Sequence, residues 1–253
     1  MLKVRIIPCL QLVNESLVKT VKFDNFQYIG DPINTVRIFN ELEVDELTFL
    51  DIRATSENRE PNLKILREIA DECFMPLSYG GGIRDVKTAK EILSIGFEKV
   101  VVNNILFENQ ELVTKIAEET GSQSVIVSID VRKNVLGKYH VYKYNGKIKT
   151  NYEPLEWAQE LEKLGAGEIL LTSINKDGTW DGFDVNLMKI ITSSVHIPVI
   201  ANGGAGNNFH IEEVVKKGNV SAVALGSMVV FQAKGMGVLV NFPDKKEIEK
   251  ALN

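Results

Sequence analysis

The sequence has few cysteines and histidines and no long apolar run. Its 253 residues include two cysteines and three histidines, and Cys9 and Cys73 stand far apart, outside any C-x-x-C or metal-ligand spacing. We therefore expect a reducing cytoplasm, thiols that pack in the core, and neither a metal site nor a cofactor. No apolar stretch approaches the ~18 residues of a membrane span, so no membrane association is expected.

Basic charge is not in excess either. Twenty-nine Lys and Arg stand against 34 Asp and Glu, which gives a net charge of −5. Broad nucleic-acid binding needs a basic face, and this balance argues against a nucleic-acid partner. The 44% hydrophobic and 25% charged content is that of an ordinary globular chain.

What the sequence does have is a regular alternation of short apolar runs and longer amphipathic stretches. Near-continuous Val, Ile and Leu is typical of parallel strands covered on both faces. Eight such runs, each followed by a helical stretch, predict an α/β fold, a single (β/α)8 (TIM) barrel domain over residues 1–253. The predicted strands are residues 4–12, 46–52, 76–79, 99–103, 124–130, 168–173, 198–201 and 222–225. The predicted helices include residues 32–42, 61–73, 86–95, 110–119, 155–164 and 185–194.

The two halves of the chain resemble each other. A shift of 122 residues brings prolines, glycines and a glutamate into register, and this indicates an internal half-barrel repeat. The pairs are Pro76 with Pro198, Gly81 and Gly82 with Gly203 and Gly204, Gly96 with Gly218, and Glu46 with Glu168.

Barrel active sites lie at the carboxyl ends of the strands, and two glycine clusters follow strands 3 and 7. Glycine lets backbone N–H groups approach a phosphate closely, so two clusters in register predict two phosphate sites and an elongated bisphosphate ligand. The alternative is that these glycines only form tight turns. The residues predicted to bind phosphate or substrate here are Asp51, Gly82, Asn103, Asn104, Thr172, Asp177, Gly178, Asn202, Gly203, Gly204, Gly226 and Ser227.

Asp130 closes an apolar strand at the predicted mouth and is a candidate general acid or base, although a structural bond to a loop competes with that role. Asp51 and Asp177 fit loop anchoring equally well. Lys19 lies in a long predicted loop, residues 13–30, and is a candidate mobile cationic lid or else a solvated lysine. Residues 131–152 are predicted to form a hairpin-like insertion.

Charged residues begin four of the predicted strands, at Arg5, Glu46, Lys99 and Glu168. With the period of two of a strand, Arg5 shares a face with residue 11 and Lys99 with Asn103. If the mouth residues point inward, so do these charges, and their mixed signs allow a paired ring at the barrel floor. The alternative is a set of charges on the outer rim of that face.

These features resemble the cyclase subunit of imidazole glycerol phosphate synthase (the HisF family) over essentially the whole chain. The stretches that carry the resemblance are RIIPCL at 5–10, GDP at 30–32, DEL at 45–47, FLDI at 49–52, GGGI at 80–83, GSQ at 121–123, GAGEILLTSI at 165–174, DGT at 177–179 and GGAG at 203–206. The resemblance implies a glutaminase subunit docked on the amino-terminal face of the barrel. Ammonia from it would pass a charged gate matching Arg5, Glu46, Lys99 and Glu168 and reach a bisphosphate at the mouth. There, the family's second catalytic aspartate matches Asp130 and its lid lysine matches Lys19.

One departure falls on the first catalytic aspartate of that family, which is Gln11 here. An amide does not exchange a proton near neutral pH as a carboxylate does. Asn104 and Asn202 also stand where smaller hydroxyl residues are usual. The runs at 226–231 and 240–243 resemble a branch associated with surface-polysaccharide biosynthesis, in which a barrel and a glutaminase supply ammonia to a separate sugar amidotransferase.

Four functions remain open from the sequence. The leading interpretation is an ammonia-accepting barrel diverged towards glycosyl amidation. The others are an authentic cyclase that tolerates Gln11, a non-catalytic scaffold that activates the glutaminase, and an isomerase of the related histidine or tryptophan pathways, which would need no gate.

Overall fold

Parallel strands form a closed ring at the centre of this computed structural model, which describes residues 4–252. The strands are β1 (Arg5–Val13), β2 (Ser16–Val21), β3 (Asp24–Gly30), β4 (Leu47–Asp51), β5 (Leu77–Gly80), β6 (Lys99–Val102), β7 (Val125–Lys133), β8 (Tyr139–Lys143), β9 (Ile148–Lys149), β10 (Glu168–Ser173), β11 (Val199–Asn202) and β12 (Ala222–Leu225). The ring runs β1-β4-β5-β6-β7-β10-β11-β12, and β12 pairs back onto β1 in parallel. This confirms the predicted (β/α)8 barrel. Residues 1 and 253, the predicted domain limits, lie outside the described residues.

Helices cover the outside of the ring. They are α1 (Pro32–Glu41), α2 (Leu63–Glu72), α3 (Val86–Ile95), α4 (Leu112–Thr120), α5 (Pro154–Lys163), α6 (Val185–Thr192), α7 (Asn208–Gly218), α8 (Ser227–Val230) and α9 (Lys245–Leu252). The start of α1 follows from its sequence, because the Asp31 carboxylate accepts the Asn34 N–H at 2.8 Å and Pro32 fits the first turn. Within residues 4–252, no helix has the length and apolar content to cross a bilayer.

The barrel interior is separate from the larger core between strands and helices. Alternate strand residues point inward and form a small buried cluster of aliphatic and small side chains, whereas their neighbours pack against the helices. The interior cluster contains Ile7, Cys9, Val101, Ile126, Leu170, Ile200, Ala222 and Ala224. The floor of the barrel below this cluster is charged, and the mouth above it is polar.

The half-barrel repeat is visible in backbone contacts as well as in sequence. Gly81 (φ +129°) and Gly203 (φ +93°) both adopt backbone conformations that disfavour a side chain. A Cβ on Gly81 would lie 2.6 Å from the carbonyl oxygen of Asp51, and one on Gly203 would lie 2.9 Å from that of Ser173. Residues 51 and 173 are themselves 122 apart, so the repeat reproduces a strand-to-loop contact.

Two antiparallel hairpins are added to the barrel at its mouth. The insertion predicted at 131–152 is confirmed: the end of β7 pairs with β8, and β8 pairs with β9. The predicted loop at 13–30 is wrong, because β2 and β3 form a hairpin there and β2 also pairs with β1. The turn residues Lys22 and Phe23 have φ values of 54° and 66°, as a two-residue hairpin turn requires, but the usual Asn-Gly signal is missing.

Candidate active site at the barrel mouth

A cavity of about 340 Å³ opens at the carboxyl ends of the barrel strands. All fifteen residues predicted for catalysis and ligand binding line it, although they come from nearly every strand-to-helix connection. They are Gln11, Lys19, Asp51, Gly82, Asn103, Asn104, Asp130, Thr172, Asp177, Gly178, Asn202, Gly203, Gly204, Gly226 and Ser227. The fold brings these residues together, and their individual roles remain predictions.

Asp130 is the candidate acid or base with the most perturbed environment. Burial raises the pKa of its carboxyl to about 7, and the nearby negative charge of Asp177 acts in the same direction. The Asn103 amide opposes the shift by donating from Nδ2 to Oδ2 at 2.8 Å, and Thr172, the β10 neighbour of Asp130, also hydrogen-bonds the carboxylate. A carboxyl with a pKa near 7 can both accept and donate a proton at neutral pH.

Gln11 is committed to a pair of hydrogen bonds with Thr20 on the β2–β3 hairpin. Its Nε2 donates to Thr20 Oγ1 at 3.0 Å, and its Oε1 accepts the Thr20 backbone N–H at 2.9 Å. Both residues are buried. The amide therefore fastens the hairpin to β1, and it carries no exchangeable carboxyl proton.

Asp177 holds the same hairpin from the opposite side of the mouth. Its Oδ1 accepts Lys19 Nζ at 2.6 Å, and its Oδ2 accepts Thr20 Oγ1 at 2.8 Å and the Phe23 N–H at 3.3 Å. The structure therefore places Lys19 on strand β2 and not on the long open loop predicted for it. Lys19 is 6% exposed and ion-paired inside a strand, because the segment that carries it is folded onto β1.

Asp51 also serves as a loop anchor. Its Oδ1 accepts the backbone N–H groups of Arg53 and Ala54 at 3.0 and 2.9 Å, and both its oxygens accept from the Arg59 guanidinium. This full set of partners orders the loop after β4. Of the two roles open from the sequence, the geometry favours loop anchoring.

The two glycine loops lie on the cavity wall together with the asparagines that depart from the family pattern. Asn104 Oδ1 accepts the Tyr144 N–H at 2.6 Å, which ties the β8–β9 turn to the wall near Gly82. Asn202 Nδ2 donates to Thr172 Oγ1 at 3.0 Å. Each asparagine thus has one side-chain atom engaged within the cavity wall, and the backbone N–H groups of the glycine loops and Ser227 line the same cavity.

At the other end of the barrel, the four predicted floor residues form one ion-paired ring. Arg5 bridges Glu46 at 2.8 Å and Glu168 at 2.7 Å. Lys99 bridges the same two carboxylates at 3.2 and 2.8 Å. The charges alternate, point inward and are mostly buried, which agrees with the face predicted by strand period and not with scattered rim charges.

Sequence reasoning missed several residues that shape the mouth. Thr20, Arg59 and the β8–β9 turn at 144–147 all contact predicted site residues, and Asn145 Nδ2 donates to the Ile52 carbonyl across the mouth at 2.6 Å. The Asn145-Gly146 pair is a turn signal that was available, whereas nothing local in the sequence pairs Thr20 with Gln11. Among residues 4–252, no group of three or more His, Cys, Asp or Glu is placed to hold a metal ion.

The fold and this cavity define a (β/α)8-barrel protein with a polar mouth and an ion-paired floor. Residues 5–234 match the profile of the histidine biosynthesis protein family. A Pseudomonas aeruginosa protein provisionally named imidazole glycerol phosphate synthase subunit hisF2 is 49% identical over 249 residues, 98% of this chain and 99% of that protein. The imidazole glycerol phosphate synthase subunit HisF of Streptococcus mutans is 46% identical over 217 residues, 86% of each chain. That of Chlorobaculum parvum is 44% identical over 232 residues, 92% of each chain. The chain belongs to the histidine biosynthesis protein family, in the HisF group that these relatives represent.

Proposed function

We propose that this chain is the synthase subunit of a glutamine amidotransferase complex, diverged from the cyclase, which delivers ammonia to a phosphorylated ligand or to sugar amidation in polysaccharide biosynthesis. A glutaminase docked on the amino-terminal face would release ammonia into the barrel. The single observation that carries the proposal is the closed ring of Arg5, Glu46, Lys99 and Glu168 at the floor. An isomerase acting only at the mouth has no use for such a ring.

The free-energy cost of burying four charges supports a gating role for the ring. Inward-facing charges at the floor of a packed barrel are unfavourable unless they are fully paired, and here each of the four has two partners. Exchange among those partners can open the floor without leaving a charge bare. The small and aliphatic interior above it, with Ala222, Ala224 and Ser78, suits uncharged ammonia better than ammonium.

At the mouth, the small number of side chains that can transfer a proton supports divergence from cyclisation. A cyclisation and cleavage that needs two carboxylates would find one of them here, Asp130. The other position is Gln11, which is hydrogen-bonded to Thr20. Removing one general acid or base costs about 10²–10⁴-fold in rate. Ammonia can still cross the barrel and leave it, so its delivery does not need a carboxylate at position 11, while Asp130 would remain as the acid, base or ligand-orienting group.

An authentic cyclase is the second candidate, and membership of the HisF group favours it. In that case the ribulosylformimino bisphosphate precursor and ammonia would yield imidazole glycerol phosphate and an aminoimidazole ribonucleotide. The glycine loops at Gly82 and Gly203–Gly204 would hold the two phosphates, and Asp130 would serve as both acid and base.

Turnover of that precursor with ammonium chloride separates the two candidates. The proposal predicts a rate at least ~100-fold below that of a cyclase control with both aspartates, and a partial gain in Gln11→Asp. Robust turnover by the unmodified chain would overturn the amidation proposal and establish the cyclase.

Glutamine-dependent and ammonium-dependent amidation together test the gate. Lys99→Glu places three carboxylates around Arg5 and should abolish delivery from glutamine while sparing the reaction with added ammonium. Asp130→Asn distinguishes a pure scaffold, because a scaffold that only activates the glutaminase retains full amidation in that variant.

A further inference from the structure

The hairpin insertion at 131–150 carries a positive charge that the rest of the chain does not share. Six of the 29 Lys and Arg lie in it, and none of the 34 Asp and Glu. The remainder therefore holds 23 basic and 34 acidic residues, a net charge of −11. The six are Arg132, Lys133, Lys138, Lys143, Lys147 and Lys149.

These cations are not neutralised by neighbours. Within the described chain, none of the six forms an ion pair with a carboxylate, whereas helix lysines such as Lys115, Lys216 and Lys217 each pair with a glutamate one turn away. Arg132 and Lys143 lie instead over the rings of Tyr142 and Tyr144, at 4.9 and 5.4 Å. Three carboxylates do contact the hairpin, Glu108, Glu153 and Asp184, but they reach its Tyr144, His140 and Tyr139 and none of its six cations. Six cations against three carboxylates leave this part of the surface net positive.

The hairpin is fixed at the mouth of the cavity. Its β8–β9 turn forms part of the cavity wall through Tyr144 and Asn145, which bond Asn104 and the Ile52 carbonyl. Gly146 packs beside Phe23 of the other hairpin and beside Ile174. The β8–β9 turn, with Lys143 and Lys147 at its two ends, therefore lies at the rim of the cavity.

The cavity itself supplies little positive charge. Its lining contains two cations, Lys19 and Arg84, against the four carboxyl groups of Asp51, Glu108, Asp130 and Asp177, and Lys19 is already paired with Asp177. A ligand with two phosphates would meet a lining that is not net positive. Attraction to the mouth must then come from outside the cavity.

We infer that the 131–150 hairpin is an electrostatic entry element, which draws polyanionic phosphorylated ligands to the mouth and raises their affinity through its exposed lysines. The inference rests on the proposed function only in taking the ligand to be phosphorylated. Charged rims of this kind raise the local concentration and capture of an oppositely charged ligand by about 10–10³-fold, and added salt removes the effect.

The test uses a fourfold variant at exposed hairpin positions, Lys133→Gln, Lys138→Gln, Lys147→Gln and Lys149→Gln, none of which lines the cavity. Calorimetric titration measures the Kd of the ribulosylformimino bisphosphate precursor, and of inorganic pyrophosphate, at ~10 mM and ~1 M salt, where the Debye lengths are about 30 and 3 Å. We expect Kd to rise about tenfold at low salt and less than twofold at high salt.

A matched control removes the same number of charges from the opposite end of the barrel, at exposed lysines in the last turns of α5, α6 and α7: Lys163, Lys189, Lys216 and Lys217, each to Gln. It should change Kd less than twofold at either salt concentration. Equal effects of the two variants, or none from the hairpin variant, would overturn the inference and leave the proposed function standing. If neither anion binds the unmodified chain, the inference is overturned, even where ammonia delivery is demonstrated. Salt-dependent binding without cyclase turnover would support it.

Discussion

Gln11 and Thr20 hydrogen-bond each other twice, side chain to side chain at 3.0 Å and side chain to backbone at 2.9 Å. The residue that departs from the cyclase pattern thus has a structural function, closing the β2–β3 hairpin over the mouth. Lys19 and Asp177 complete the same network from the other side.

Gln11→Leu should loosen this hairpin. The buried Thr20 N–H loses its acceptor, which costs about 1–3 kcal/mol, and amide hydrogen exchange across residues 16–30 should accelerate by about tenfold or more. Gln27→Leu, at an exposed position of β3, is the control and should leave exchange unchanged. Combining Gln11→Leu with Thr20→Val should be clearly non-additive, and simple additivity would contradict the paired geometry.

Asp130→Asn should change the pH dependence of stability. The folded pKa of about 7 exceeds the unfolded value of about 3.9, so the folded state binds more protons between these values and stability falls as pH rises through that window. The variant has no carboxyl group at position 130 and therefore lacks this pH-dependent loss of stability. Relative to the unmodified chain it should therefore gain stability from pH 5 to pH 8.5, on the order of a few kcal/mol. Urea unfolding at both pH values measures the gain.

The control for this prediction is Asp71→Asn on the exposed face of α2, which should show no comparable trend. A stability difference between Asp130→Asn and the unmodified chain that stays constant with pH would argue against a proton held by the folded state.

Glu46→Gln should destabilise the barrel floor. The change leaves Arg5 and Lys99 to share Glu168, and removing one partner from a buried charge network costs about 3–5 kcal/mol. The partial exposure of Arg5, whose side chain is 27% accessible, places the expected loss nearer 2–3 kcal/mol by the same reasoning. Glu72→Gln, which breaks a surface pair with Arg37, should cost about 1 kcal/mol or less. Equal losses in chemical denaturation would contradict a buried ring.

Gly81→Ala tests the strand-to-loop contact of the repeat. Its φ of +129° costs an alanine at least the about 1–2 kcal/mol of the left-handed region, and the new Cβ would also press on the Asp51 carbonyl. Gly96→Ala, at a similar φ of +122° and with the Ala70 Cβ at an ordinary contact distance of 3.5 Å, is the control for the backbone contribution. We expect Gly81→Ala to be clearly more destabilising in thermal or urea unfolding, and a cost no larger than that of Gly96→Ala would show that the contact relaxes freely.

The sequence alone predicted the barrel because its signals are local and repeated. Eight apolar runs set the strands within a residue or two, except that β7 continues to Lys133 into the insertion. Strand period placed Arg5 and Lys99 on the inner face, and the glycine register marked the loops that line the mouth. The resemblance also predicted that Gln11 stands in the place of a catalytic aspartate.

The tertiary structure decided what the charged mouth residues do. Lys19 is 158 positions from Asp177 in the chain, and no periodicity relates them; only closure of the ring brings β2 beside the loop after β10. The segment predicted as a loop is a hairpin whose strand β2 is buried against β1. Position in the chain fixes which face a side chain occupies, but its partners across the barrel depend on how distant strands meet.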